Sequence, residues 1–411
     1  MIPDKNTFCV MPWFGLTLDS RNRLSPCCNI NKWTYTYDQV EEYWASDELK
    51  NLRKDLLNGV RNNICNKCWI KEDHGGQSQR LISNYAIKGK IRKQINNPKI
   101  EDIQYFDLTT GNLCNLRCLM CKPSLSSQIL AEAIQHPYLK EMHSPTEHYE
   151  QIKFDWGKST DFMKWCDAYL SQATIINLSG GEPLIIPWLP QILSKIPAQQ
   201  KKKCVLQMTT NLTKINDIIF DSFKDFKKVW LNVSLDGTEK TFEYVRNKHD
   251  WNTLVKNIEY IEAKNSPNVQ FGVNHVVQAI SYHSILDLVN FCDNHKMLIN
   301  PITIDRPSSF HISSLSLDSK KTFLDMNDLC QYKAGKYEFY LHFANKKFDV
   351  SKAMSVNVPI KSGTGPFKLL NNINCKAAWV VFNNKGHLPS YLMKAKCNIP
   401  DEIFKKFEED F

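Results

Sequence analysis

The sequence predicts an α/β protein in which six strands alternate with helices, behind a smaller cysteine-rich segment. Three observations carry this. Short β-branched or apolar runs recur between residues 100 and 310, apolar stripes at helical spacing lie between them, and the cysteines cluster in two places. Strands separated by helices form parallel βαβ units with right-handed crossovers. An open doubly wound sheet and a partial barrel both satisfy the pattern, and both place ligands at the C-terminal strand ends.

Three segments are expected: 1–99, 100–310 and 311–411. In the first, "WASDELKNLRKDLLNG" reads as a helix capped by Ser46 and stopped by Gly59, with Leu49, Leu52, Leu56 and Leu57 as its apolar face. It would pack beside a short hairpin carrying Cys9 and Cys27. The basic stretch "KGKIRKQINNPK" reads as a linker.

In the second segment the strands are expected at Ile103–Thr109, Thr174–Ser179, Cys204–Thr209, Val229–Leu235, Val269–Val277 and Leu298–Ile304. Asp250 is a natural N-cap for "WNTLVKNIEYIEAK", whose Leu254, Ile258 and Ile261 fall on one stripe. The stretch "SYHSILDLVNFCDNH" repeats the scheme, and other helices start near Ser126, Trp188 and Lys214. The third segment shows weaker periodicity and is read as an extension of unassigned role.

No apolar run is long enough for a transmembrane helix, and MIPDKNTFCV has neither the basic nor the apolar part of a signal peptide, so a cytoplasmic location is expected. The net charge of +9 is spread in short runs such as Lys201–Lys203, a solvated surface, and no nucleic-acid recognition motif accompanies it. Fourteen cysteines in such a chain point to metal or cluster ligation before disulfides.

"LTTGNLCNLRCLMCKPS" follows the first expected strand and carries Cys114, Cys118 and Cys121. Three thiolates select an iron–sulfur cluster with one iron left open, or a zinc site completed from elsewhere. The spacing C-x3-C-x2-C resembles the signature of the radical SAM superfamily. "LSGGEP", "MTTNL", "VSLDG" and "FEYVRN" follow in order at successive strand ends and are similar to its downstream motifs. That resemblance implies a partial (β/α)6 TIM-like barrel. It also implies a [4Fe-4S] cluster on the three cysteines and S-adenosylmethionine chelated at the open iron. Cofactor contacts would come from Gly180, Gly181, Glu182, Thr210, Asn211, Ser234, Asp236 and Arg246. Met120 stands where the superfamily often has an aromatic residue, and a thioether fills the same role.

Cys9, Cys27, Cys65 and Cys68, the last two as CNKC, make a second set with no vacant position. A structural zinc is the plain reading of four such thiols. The set also resembles the twitch domain, the short form of the SPASM domain, which implies an auxiliary [4Fe-4S] cluster. The module is N-terminal here, Asn22 replaces the usual glycine, and Cys28 competes with Cys27 on spacing, which favours Cys27.

The resemblance covers about residues 5 to 305 and implies a radical SAM enzyme. It would remove a substrate hydrogen, with a low-potential donor such as flavodoxin or ferredoxin as partner. The expected use is oxidative peptide modification, the alternatives being dehydrogenation of a small-molecule alcohol and, outside enzymes, a zinc-binding structural protein. His275 in "GVNHVV" is a candidate acid or base, or a core histidine.

Overall fold

The computed structural model describes residues 7–30, 33–73, 78–86, 95–136, 148–304, 310 and 314. The extension at 311–411, Cys330, Cys375 and Cys397 included, lies outside the described residues, Ser314 apart. The chain divides into two compact units, one from 1–66, 79–234 and 246–272, the other from 67–78, 235–245 and 273–411.

The first unit is built on a sheet. Strands β1 (Gly15–Leu18), β2 (Leu24–Ser25), β3 (Tyr105–Thr109), β4 (Ile175–Ser179), β5 (Val205–Thr210) and β6 (Lys228–Ser234) lie in the order β2-β1-β3-β4-β5-β6, followed by β7 (Val269–Val277). In the second unit β7 is followed by β8 (Leu298–Thr303). The six expected strands are present to within two residues at each end. β1 and β3 through β6 pair in parallel, while β2 turns back on β1. This is the α/β arrangement of a partial TIM-like barrel.

The sheet has two chemically different faces. The in-register row Phe106, Ile176, Leu206 and Val229 is fully buried, and Phe106 meets Trp165 of the helix Thr160–Tyr169 edge-on at 6.0 Å. The next row on the opposite face carries the polar Thr17, Asp107, Asn177 and Gln207, and ends at Trp230. Period-two alternation makes this division, one face apolar under the helices and the other free for polar chemistry.

Local signals place the helices. The helix Asp47–Leu57 is capped by Ser46, whose hydroxyl accepts from the Leu49 amide, and the chain leaves it through Gly59 at φ +79°. Leu57 is only half-buried, and Arg53 takes its expected place on the inner face. Its guanidinium lies 4.2 Å over Trp44 and donates to the Pro12 carbonyl, so the charge is buried with partners. At the β1–β2 turn, Asn22 adopts φ +65°, the backbone state a glycine would supply.

The helix Trp251–Ala263 begins at Asp250, whose carboxylate accepts from the Thr253 amide at 2.7 Å. Asp250→Ala removes that cap, and we expect the midpoint of anaerobic urea unfolding to fall, with Asp250→Asn falling less because it keeps a capping oxygen.

Candidate active site

The cysteine loop leaves β3 and is fixed at both ends by hydroxyls. Ser126 caps the helix Ser127–Gln135 and donates to the Leu116 carbonyl at 2.8 Å. Ser127 exchanges hydrogen bonds with the backbone of Cys114, 3.2 Å from its amide and 3.0 Å from its carbonyl. Cys114 and Cys118 are buried and Cys121 is half-buried. Desolvation pushes the Cys114 thiol up to about 11, so it holds its proton until a metal displaces it. Arg246 donates to the Cys118 sulfur at 3.6 Å, and Asn211 approaches the Cys114 sulfur at 3.8 Å. Thiolates of a cluster receive donors of this kind.

The glycines after β4 answer to backbone contact. A Cβ on Gly181 would stand 2.0 Å from the Leu113 carbonyl oxygen, and Gly180, at φ +123°, would meet the Gly111 oxygen at 2.9 Å. The contact is stitched by the Glu182 amide, which donates to the Leu113 carbonyl at 2.8 Å. Both glycines are therefore required to press the β4 loop against the cysteine loop.

Glu182 is buried and joins the ends of β4 and β5. One carboxylate oxygen accepts from the Leu184 amide at 3.0 Å and from the Thr210 hydroxyl; the other accepts from the Asn211 amide. Burial lifts this carboxyl to about 7 against the pull of those donors. Thr210 also accepts from the Leu212 amide, and Leu212 is held at φ +54° although fully buried. A leucine in that region stores strain, and here it turns the chain directly after the two polar residues.

Asn211 is the hub. Its side-chain Nδ2 donates to the Asn115 side-chain oxygen, its own side-chain oxygen accepts from the Thr213 amide and hydroxyl, and its carbonyl lies 2.9 Å from the His249 Nε2. A carbonyl only accepts, so Nε2 carries a proton. Burial holds His249 below its usual range and keeps it neutral. His249 and Asn115 are absent from the sequence-derived set, although both adjoin chosen residues, Asn115 inside the cysteine run and His249 three beyond Arg246.

In the first unit, Ser234 is buried at the end of β6. In the second, Asp236 is buried and accepts from the Val276 amide at 2.6 Å. His275 is also buried, its Nδ1 lying 3.1 Å from the Leu235 carbonyl. That nitrogen must donate, which fixes the tautomer.

Of the N-terminal thiols, Cys9 and Cys27 are buried, Cys65 is half-buried and Cys28 is exposed. The Ser25 hydroxyl of β2 donates to the Cys27 carbonyl at 3.0 Å, which ties Cys27 to the end of the hairpin. Cys68, in the second unit, is buried. Cys166, Cys204 and Cys292 are buried in apolar surroundings. Among the described residues no three His, Cys, Asp or Glu side chains converge as a single metal ion would require. A four-iron cluster instead takes its thiolates at separate irons.

A three-thiol loop, a buried carboxylate and a polar hub at adjacent parallel-strand ends define a cofactor-binding α/β protein. Residues 108–292 match the Radical SAM superfamily model, so this segment is a radical SAM domain. The family implies a [4Fe-4S] cluster and S-adenosylmethionine. The chain is similar to a GTP 3',8-cyclase of Clostridium botulinum (strain Okra / Type B1), 31% identical over 159 residues, 38% of this chain and 43% of that relative. A Helicobacter pylori GTP 3',8-cyclase is 24% identical over 204 residues, 49% of this chain and 55% of that one. The chain thus spans about half the length of these curated relatives. Among solved structures, Streptococcus suis SuiB bound to the precursor peptide SuiA is 13% identical, covering 91% of this chain and 79% of its own at a TM-score of 0.41. No described helix is long and apolar enough to cross a membrane.

Glu182→Ala would leave the Thr210, Leu184 and Asn211 donors without their acceptor. We expect a loss of about 3 kcal/mol or more, since each orphaned buried donor costs about 1–3 kcal/mol, read by urea unfolding of the metal-free chain. Gly181→Ala should be worse for the site, because the Cβ meets backbone. Iron incorporation on reconstitution should fall at least tenfold.

Proposed function

We propose that this radical SAM enzyme abstracts a hydrogen atom from an enclosed substrate in a net oxidation, most simply of a peptide. The observation that carries the reading is the junction of the cysteine loop with Glu182 and Asn211 at three successive strand ends. Cys114, Cys118 and Cys121 would hold the cluster. When bound, cluster and S-adenosylmethionine together supply a 5′-deoxyadenosyl radical.

The chain's own residues prepare the site for this. Arg246 places positive charge against Cys118, offsetting the negative charge that thiolates and cluster bring into a buried place. The Gly180–Gly181 contact fixes the height of the cysteine loop, and Glu182 keeps acceptor capacity for a cofactor ammonium beside its protein donors. Thr210, Asn211, Ser234 and Asp236 supply neutral and acidic acceptors for the rest of the cofactor. His249 holds the Asn211 backbone.

Cys9, Cys27, Cys65 and Cys68 are proposed as the ligands that would hold an auxiliary [4Fe-4S] cluster, which would supply a one-electron acceptor for the substrate radical. Asn22 supports this, since it meets the backbone demand of the glycine it replaces. A small-molecule substrate is the second reading, favoured by the sequence likeness to the GTP 3',8-cyclases. A flavodoxin or ferredoxin is the proposed reductant.

Anaerobically purified protein should be brown, carry about eight irons, and release 5′-deoxyadenosine from S-adenosylmethionine with dithionite. Cys118→Ala should abolish that release. A colourless chain that cleaves no S-adenosylmethionine sinks the reading. The pair Cys65→Ala with Cys68→Ala should keep about half the iron; unchanged iron removes the auxiliary cluster.

A further inference from the structure

The polar face of the sheet holds a buried acid that the cofactor reading does not use. Asp107, at the centre of β3, is 4% exposed. Its register neighbours are Thr17 on one side and Asn177 on the other, with Gln207 beyond. Asn177 donates to one carboxylate oxygen at 2.8 Å. Thr17 is 5% exposed, and its hydroxyl has no hydrogen-bond partner among the described residues. One layer up lie Thr109 and Ser179, 3.0 Å apart, with Thr209 and Asn232 beside them. One layer down, Lys228 lies 4.1 Å over the Trp230 ring.

What Asp107 lacks is a cation. Among the described residues no lysine, arginine or histidine pairs with it, and burial lifts its carboxyl to about 6 with only the Asn177 hydrogen bond opposing. A carboxylate taken out of water is ordinarily paired or multiply hydrogen-bonded. Here half of the expected set is in place: one neutral donor, and a hydroxyl able to accept from the same guest.

We propose that Asp107, flanked by Thr17 and Asn177, is the anchor of a substrate site for a cationic group, an ammonium or guanidinium. The incoming cation donates to Asp107 and to the Thr17 hydroxyl, while Asn177 holds the carboxylate in place. The half-buried Thr109, Ser179 and Thr209 place neutral, hydrogen-bonding groups one layer above it. This deepens the enzyme reading and rests on it, since it names the chemistry of the enclosed substrate: a basic side chain or an amine.

The test is fragment binding to the anaerobically reconstituted full chain by ligand-observed NMR, with butylguanidinium and butylammonium as probes and butanol as the neutral isostere. Both cations should bind and butanol should not. Asp107→Asn should weaken the cations at least tenfold, as loss of a charge-assisted pair predicts, and Thr17→Val a few-fold. Thermal unfolding at pH 7.5 reports folding: Asp107→Asn should melt no lower than the parent, because it removes an uncompensated charge. A lower melting temperature would mark Asp107 as structural. Equal cation binding by Asp107→Asn, or binding of butanol as strong as that of the cations, overturns the proposal. S-adenosylmethionine carries its own ammonium, so its affinity is titrated in parallel; a matching loss in Asp107→Asn would make the residue part of the cofactor site and overturn the substrate assignment. Release of 5′-deoxyadenosine by the parent chain tests the enzyme reading separately, and the fragment titration fails or succeeds without it.

Discussion

The candidate site depends on the backbone contact between two loops that have no side chains to separate them. Gly180 and Gly181 lie against Gly111–Leu113 closely enough that a single methyl group would collide with main-chain oxygen. Everything else is hung from that contact. Glu182 is delivered to the ends of β4 and β5, Asn211 is brought to the Cys114 sulfur, and Arg246 and His249 close the circle from the segment after the SLDG turn. The contact is steric and short-ranged, so it fixes position more sharply than the surrounding hydrogen bonds, each of which tolerates a few tenths of an ångström.

Much of this was legible in the sequence because it depended on local periodicity and order along the chain. The six barrel strands, the caps at Ser46, Ser126 and Asp250, and the order of the cysteine, glycine and threonine–asparagine motifs are all local features. The reason for the glycines was not legible. "GGEP" suggests a backbone kept open for a ligand, whereas the packing partner is a loop some seventy residues earlier, which no local pattern reveals. Arg53 escaped for a similar reason: a charged residue on an apolar stripe reads as surface until Trp44 and the Pro12 carbonyl are seen to receive it. His249 makes its contact through an imidazole nitrogen and a main-chain carbonyl, an interaction that leaves no sequence pattern.

Asp107 shows the opposite failure, a signal that was present and not used. In "YFDLT" the acid alternates with Phe106 and Leu108, so it had to lie on the face away from the helices. Only the parallel register shows that Thr17 and Asn177 flank it and that no cation does. The site thus has two polar regions of different character. The strand-end region is rich in donors, while the mid-strand region holds a single acid among neutral groups.

The N-terminal hairpin has a consequence for how the molecule assembles. β1 lies beside β3 in parallel, although Leu16 and its register partner Phe106 are ninety positions apart in the chain. Closing so long a loop before any pairing is gained makes this a late and slow event in folding. Until it happens β3 presents an open edge, the kind of surface on which chains join one another. The cysteines carried by the hairpin would then be among the last to reach their final surroundings. On the proposed reading, metal loading at that end would report on completed folding, whereas the cysteine loop after β3 belongs to structure that can form earlier.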